Sequence, residues 1–261
     1  INPNFAEAYF NQGNILRDLG KLQDAEKSYR KAIQLNPNFA EAYFNQGNIL
    51  KDLGKTKEAF NSYLKAIEIK PTLSNIYSSI SRFLKDADLT QLNKLKLKNI
   101  LDILLEKNDV NHKVLFKAFN FLYSNEIITN LDVSNSDFFK TELIFNDKLI
   151  INALKKIMFR DLKLEIFLSK LRCQICHLIS TNKENINNSA LNFIIALGEQ
   201  CFFNEYIYVT TEDEKKSINT IINRCKDGEL SEISIAILSC YYPLYKLCLL
   251  YTSDAADDAN C

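Results

Sequence analysis

One twenty-residue string occurs twice in this chain, and it restricts the possible folds more than any other feature. Residues 2–21, NPNFAEAYFNQGNILRDLGK, return at 36–55 as NPNFAEAYFNQGNILKDLGK, a shift of 34 residues with one conservative difference, Arg17 against Lys51. Beyond the string the same period matches Ala25 with Ala59, Tyr29 with Tyr63, Ala32 with Ala66 and Pro37 with Pro71. A unit of this size cannot bury its apolar face alone, so the chain must fold as stacked units.

The matched positions specify a helix–turn–helix. Gly13 and Ala25 are expected where two antiparallel helices cross, because a larger side chain would push the backbones apart. Gly20 is placed to end the first helix in the left-handed conformation, and Pro37 to open the next unit because it cannot continue a helix. Tyr9, Leu16, Ala25, Tyr29 and Ala32 are expected to fill the seam within and between units.

Composition extends this helical reading to the whole chain. Among 261 residues there are only six Gly and four Pro, too few for a turn-rich β fold, while 47% apolar residues suffice for a core. The 32 basic and 32 acidic side chains cancel, so no net field draws the chain to nucleic acid or anionic lipid. Seven Cys, none of them before Cys173, form no disulfide framework and point to a reducing, cytoplasmic setting. No apolar run approaches the roughly 18 residues of a membrane span, and no export leader opens the sequence.

The period and its Tyr, Gly, Ala and Pro positions resemble the tetratricopeptide repeat over residues 1–71. That resemblance implies an all-α superhelix of helix–turn–helix units that takes a protein or peptide in its concave groove. Ile1 is not an initiator Met, and the first unit is expected to sit at a truncated edge with further repeats ahead of it. Residues 72–108 read as a divergent capping pair of helices: Tyr77, Ser81 and Leu84 keep the 34-residue offset, but Ala59 maps to Asn93 and Tyr63 to Leu97.

Residues 109–247 read as a helical accessory domain. Helical spacing of apolar residues predicts helices at 111–124, 146–159, 161–180, 187–204, 212–225 and 229–247, with Thr211 and Glu214 as a capping box for the fifth. The polar stretch 125–135 reads as a loop or boundary. Residues 248–261 resemble the translation of a transposon-type sequencing adapter and are expected to be a disordered tail. On that reading the native frame is interrupted near Leu247.

Motifs of catalysis are sparse. Cys173-Gln-Ile-Cys176-His177 matches the pattern for covalent haem attachment, but it lies inside an uninterrupted helical period and is expected to place core or boundary thiols, with no haem. His112 is the only other His, which leaves zinc and Ser-His-Asp readings without partners. No Gly-rich phosphate loop occurs. The chain is therefore expected to have no catalytic residue, cofactor or metal of its own.

The groove is the better candidate. Glu7, Phe10, Asn14 and Arg17, with Glu41, Phe44, Asn48 and Lys51, are spaced to share one face of each first helix. Phe44 and Asn48 are expected to lie off the inter-helix seam, free to touch a partner. Asn11 and Asn45 resemble the asparagine ladder in the repeat arm of O-linked N-acetylglucosamine transferases, where amides hold a peptide main chain. Simple tolerance of Asn at a solvated helix face is the other account of these two residues.

Downstream, Phe167-Leu-Ser-Lys-Leu-Arg172, residues 191–208 and Tyr242-Pro243-Leu244 resemble the segment that joins tetratricopeptide repeats to S-adenosylmethionine-dependent methyltransferase domains in some bacterial proteins. The most recognisable piece is residues 200–206, QCFFNEY, which taken alone reads as a buried helix end with Phe202 and Tyr206 one turn apart. The resemblance implies a methyl-transferring domain beyond Leu247. A pure scaffold and a glycosyltransferase arm are the competing classes.

Overall fold

The computed structural model describes residues 3–130, 145–181, 188–205, 209–229, 231–243 and 246. Among these residues there are helices and turns and no strand, as the composition requires. The chain divides into two compact units, Ile1–Phe121 and Leu122–Cys261.

In the first unit the duplicated string gives duplicated structure. Helices α1 (Pro3–Asp18) and α2 (Leu22–Leu35) pair, as do α3 (Ala40–Asp52) and α4 (Thr56–Ile69), and α3 packs back on α2. Each first helix ends in the same way. Gly20 and Gly54 both adopt φ +73°; Gly20 N–H donates to the Arg17 carbonyl at 2.9 Å and Lys21 N–H to the Leu16 carbonyl at 2.8 Å, with the same bonds at Gly54 and Lys55. These paired bonds satisfy carbonyls that the helix end would otherwise orphan, and they reverse the chain. Between the pairs, Asn36 Oδ1 accepts from Asn38 N–H at 3.1 Å around Pro37.

The seam is built on glycine against tyrosine. A Cβ on Gly13 would lie 2.7 Å from Tyr29 Cε1, and one on Gly47 would lie 2.7 Å from Tyr63 Cδ1. Both tyrosines are fully buried, and Tyr29 forms a core with Ala25 and Ile49 against which Phe10, Leu16, Leu22 and Leu53 pack. The expected crossing point and most of the expected seam residues are therefore in place.

The period fails at residue 88. There the chain has Asp where Gly20 and Gly54 stand one and two periods earlier, and α5 (Ile76–Asp86) is followed by extended Ala87 and Asp88 rather than a left-handed cap. Asp88 instead nucleates a 3₁₀ turn, Leu89–Gln91, by accepting from Thr90 N–H at 3.1 Å and Thr90 Oγ1–H at 2.6 Å. Asn93, at the position of Ala59, becomes the N-cap of α6 (Lys94–Glu106) and accepts from Lys96 N–H at 3.0 Å. Helices α5 and α6 both pack on the 3₁₀ turn His112–Leu115. Residues 72–108 thus hold two helices joined by a detour rather than by the turn of the repeat.

Helix α7 runs Phe116–Asn130. The backbone is helical through 125–130, where a loop is expected from composition; Asn, Ser and Thr cost only tenths of a kcal/mol each in a helix already propagating, and no Gly or Pro stops it. Residues 131–135 of that expected loop, the tail 248–261 and Tyr206 lie outside the described residues.

In the second unit the starts of four helices carry matched side chains, Ser231 among them at the last. Asp147 caps α8 (Lys148–Lys156), and Asp161 accepts from Lys163 N–H and Leu164 N–H at the start of α9 (Leu162–Thr181). The capping box forms as expected on α11 (Glu212–Lys226): Glu214 N–H donates to Thr211 Oγ1 at 3.1 Å and Thr211 N–H to Glu214 Oε2 at 3.2 Å. Helix α10 (Asn188–Phe203) packs on α8 and α12 (Glu232–Ser239), while α9 packs on α11 and α12. Helix α12 ends well short of the expected 247, ahead of Pro243, which disfavours helix in the residue before it.

Two buried polar groups organise this unit. Arg172 and Glu214, both 2% exposed, form an ion pair at 3.1 Å; Tyr241 donates its hydroxyl to the same carboxylate, and its ring lies 4.5 Å from the guanidinium carbon. Gln200 is fully buried. In the amide orientation that satisfies its neighbours, it donates to the Leu154 and Ile157 carbonyls at 3.0 and 2.8 Å and accepts from Phe159 N–H at 3.1 Å. It thereby ties α10 to the connection between α8 and α9. Phe202 departs from the expected buried helix end: it is 60% exposed, and the string's inward anchors are Gln200 and Cys201.

These contacts set two expectations for urea unfolding. Gly47→Ala drives a methyl group into the Tyr63 ring and should cost about 2 kcal/mol or more, against about 1 kcal/mol for Gly54→Ala, which meets open space but keeps a positive φ. Arg172→Met leaves Glu214 buried without its cation and should cost about 3–5 kcal/mol, while the double variant Arg172→Met with Glu214→Leu recovers most of that loss.

Candidate functional site

The residues expected to form the groove divide into two sets. Phe10 and Phe44 reach the seam. The Phe10 ring lies 5.9 Å from Tyr29 and 4.9 Å from Phe39, and the Phe44 ring lies 6.1 Å from Tyr63. Asn48 accepts the Tyr63 hydroxyl at 2.9 Å. The expectation that Phe44 and Asn48 stand clear of the inter-helix seam is therefore corrected. A helix face spaced 3, 4 and 3 spans enough arc that its aromatic member packs on the partner helix while its ends meet solvent.

Asparagines join neighbouring units. Tyr29 Oη–H donates to Asn14 Oδ1 at 2.7 Å, and Asn45 Nδ2 donates to that same oxygen at 2.9 Å. Burial raises the pKa of both Tyr29 and Tyr63, so these hydroxyls remain donors. Asn11, the counterpart of Asn45, is exposed. Glu41 is tied to Lys70 at 2.7 Å, a bond that holds its carboxyl below the ordinary range; Asn36 takes the place of Lys70 one period earlier, and Glu7 stays exposed. Arg17 and Lys51 each pair with the following aspartate, Asp18 at 2.9 Å and Asp52 at 3.2 Å.

Asn48 and Lys51 line an open cleft of about 500 Å³ between the second helix pair and α5, together with Tyr63, Ser79, Arg82 and Asp86. Of the ten residues proposed from sequence, these two are in the cleft; Glu7, Phe10, Asn11, Asn14, Arg17, Glu41, Phe44 and Asn45 are outside it. Sequence reasoning missed Ser79 and Arg82, though the period held the signal, since they stand 34 residues after Asn45 and Asn48. The cleft is polar and carries both charge signs, with Asp88 on its rim already engaged by Thr90 and Gln91.

The thiol motif lies elsewhere, on α9. Cys176 is buried, and burial pushes its thiol up to about 12; Cys173 is half-buried and its thiol is also raised by burial. A protonated thiol is a poor nucleophile and a poor metal ligand. Cys201 moves the other way, lowered by a hydrogen bond with Cys240 and by the Arg172 charge against the effect of burial. Among the described residues no three His, Cys, Asp or Glu side chains are grouped to hold a metal ion, and no helix is long and apolar enough to cross a membrane.

With this geometry in place, the comparisons with known proteins agree with the period. Models of the family described as Tetratricopeptide repeat match residues 6–39 and 40–73. Residues 6–73 thus hold two tetratricopeptide repeats, stacked helix pairs of the kind that serve as protein-interaction modules. No curated protein matches the chain.

One electrostatic element supports the stack and can be titrated. Glu26 is nearly buried and receives Lys55 of the next unit at 2.8 Å and Arg30 of its own helix. Burial alone would raise its carboxyl, but the two cations outweigh that and hold it below the ordinary glutamate value. Because the folded pKa is depressed, the stabilisation is complete above the unfolded pKa and is lost as pH falls through the folded one. Thermal melts from neutrality down to about pH 3 should show this decline, and Glu26→Gln should flatten part of it while costing about 1 kcal/mol at neutral pH.

Proposed function

We propose that the cleft between α3, α4 and α5 binds an extended segment of a partner protein, with Asn48 gripping main-chain amide groups and Lys51 and Arg82 taking an acidic side chain. The observation that carries this reading is the convergence of an amide and a cation from α3 and a second cation from α5 on one open, polar cavity. An amide both donates and accepts, so it serves any peptide backbone, and the paired charges add selectivity for an acidic residue. Lys51 shares its charge only with exposed Asp52, an arrangement that costs little to rearrange.

In this reading the chain is the binding arm of a larger protein, with no catalytic group, cofactor or haem of its own. The likeness of residues 200–206 to the accessory region of methyltransferase proteins supports a methyl-transferring domain as its wider setting. A reducing cytoplasmic location suits the five described cysteines, all of which are free thiols. The glycosyltransferase-arm alternative has less support, because Asn45 already spends its amide N–H on Asn14 rather than on a ligand.

The test is selection of peptides from a displayed random library against the whole chain, followed by binding measurements on variants. Lys51→Glu combined with Arg82→Glu should weaken the selected peptides by at least about tenfold, the loss of two charge-assisted contacts, with melting unchanged. Peptides that bind the variant and the parent equally would overturn the assignment of this cleft.

A further inference from the structure

The close approach of α10 to the end of α12 sets two thiols against each other. A Cβ on Gly198 would collide with Ser239 Oγ and stand 3.5 Å from the Ser239 carbonyl carbon, so glycine at this position admits the end of α12. Ile194, Gly198 and Cys201 recur at helical spacing on one face of α10. Cys240 Sγ lies over that face, 3.7 Å from the Ile194 carbonyl oxygen, and Cys201 and Cys240 share a thiol-to-thiol hydrogen bond. Both residues are buried. Burial ordinarily leaves a thiol inert, but two further features act on this pair. An open cavity of about 270 Å³ has Cys240, Arg172, Tyr241 and Tyr242 in its walls, which gives a small solute a route to the thiols. The Arg172 guanidinium, in the same wall, also hydrogen-bonds Cys201.

We propose that Cys201 and Cys240 form a reversible redox site, a dithiol that hydrogen peroxide entering the cavity converts to a disulfide. One sulfur of the pair, as its thiolate, attacks a peroxide oxygen: the S–O bond forms, the O–O bond breaks, and hydroxide leaves as water with the proton that thiol gave up. The second sulfur then attacks the first. The S–S bond forms as the S–O bond breaks, and the departing hydroxide takes the second thiol's proton. Two thiols lose two electrons in all, and one peroxide is reduced to two waters. The hydrogen bond with Cys240 and the Arg172 charge favour the thiolate on Cys201 against its burial. Exchange with a small dithiol reverses the step, so the pair suits a reducing setting where disulfides are transient. The bond ties α10 to the residue beside Tyr241, whose hydroxyl already donates to Glu214, and thereby fastens the packing around the buried ion pair. The C-x-x-C motif on α9 is not the reactive pair, because burial holds the Cys176 thiol up at about 12. This site lies within the second unit and does not depend on the peptide-binding reading.

The experiment treats the reduced whole chain with hydrogen peroxide, unfolds samples at intervals in N-ethylmaleimide to block the remaining thiols, and maps their peptides by mass spectrometry without reduction. A linked pair of peptides carrying Cys201 and Cys240 should accumulate, and these two thiols should be lost at least about tenfold faster than that of Cys176. The oxidised chain should melt at a higher temperature, since the new bond constrains the unfolded state. Dithiothreitol should return both the peptide masses and the melting temperature to their starting values. Cys201→Ser and Cys240→Ser should each remove the link and the rise in melting temperature; the parent chain carries the test by itself if either variant fails to fold. Loss of the two thiols no faster than that of Cys176 overturns the proposal. So does a link formed in preference between Cys173 and Cys176, a link that forms only in urea, or accumulation of sulfinic acid at Cys201 or Cys240 with no link.

Discussion

The contact of a tyrosine ring with a backbone that lacks a Cβ sets the geometry of the first unit. With Gly13 and Gly47 on the first helices, Tyr29 and Tyr63 lie flat against the crossing point, and a methyl group at either glycine would sit 2.7 Å from ring carbon. The ring then carries its hydroxyl to the far side of the helix, where Asn14 or Asn48 accepts it. Asn14 in turn accepts from Asn45 of the next unit. A steric condition inside one helix pair thereby becomes a polar tie between pairs, and the spacing of the stack follows from both.

That chain of dependence explains which parts could be read in advance. Gly20, Gly54 and Pro37 act through local backbone rules, so period and residue type were enough to place them. The same holds for Thr211 with Glu214, where two side chains satisfy two backbone donors within a single turn. Phe44 was misplaced because a spacing of 3 and 4 locates a face but not its width; whether an aromatic at the edge of that face turns inward depends on the partner helix, here Tyr63. Ser79 and Arg82 went unnoticed since the sequence match weakens after Pro71, although the 34-residue offset still reaches them.

The second unit follows a different logic. It has no period, and its polar core joins residues 42 apart in the chain, as Arg172 meets Glu214. Arg172 stands in an apolar-rich helical run, but no window of sequence names a partner 42 residues further on. Desolvating both ions offsets much of their attraction, whereas an alternative packing that separated them would leave a bare charge in the core. Gln200 works likewise: four hydrogen-bonding positions of one amide are spent on the backbone between α8 and α9 and on Asn204, which explains the string around it structurally without reference to any reaction.

The cleft lies where the repeat stops obeying its own rule. Gly54 reverses the chain tightly after α3, but Asp88 at the equivalent place after α5 cannot take the left-handed cap at low cost and turns through a 3₁₀ detour instead. Both turns line the same cavity, through Gly54 and Thr56 on one side and Ala87 and Asp88 on the other. A regular third unit would have folded its second helix back on α5, as α2 folds back on α1 and α4 on α3. The second repeat and α5 instead face each other across the polar side chains of the cleft, with α5 packed less closely on α4 than α3 is on α2.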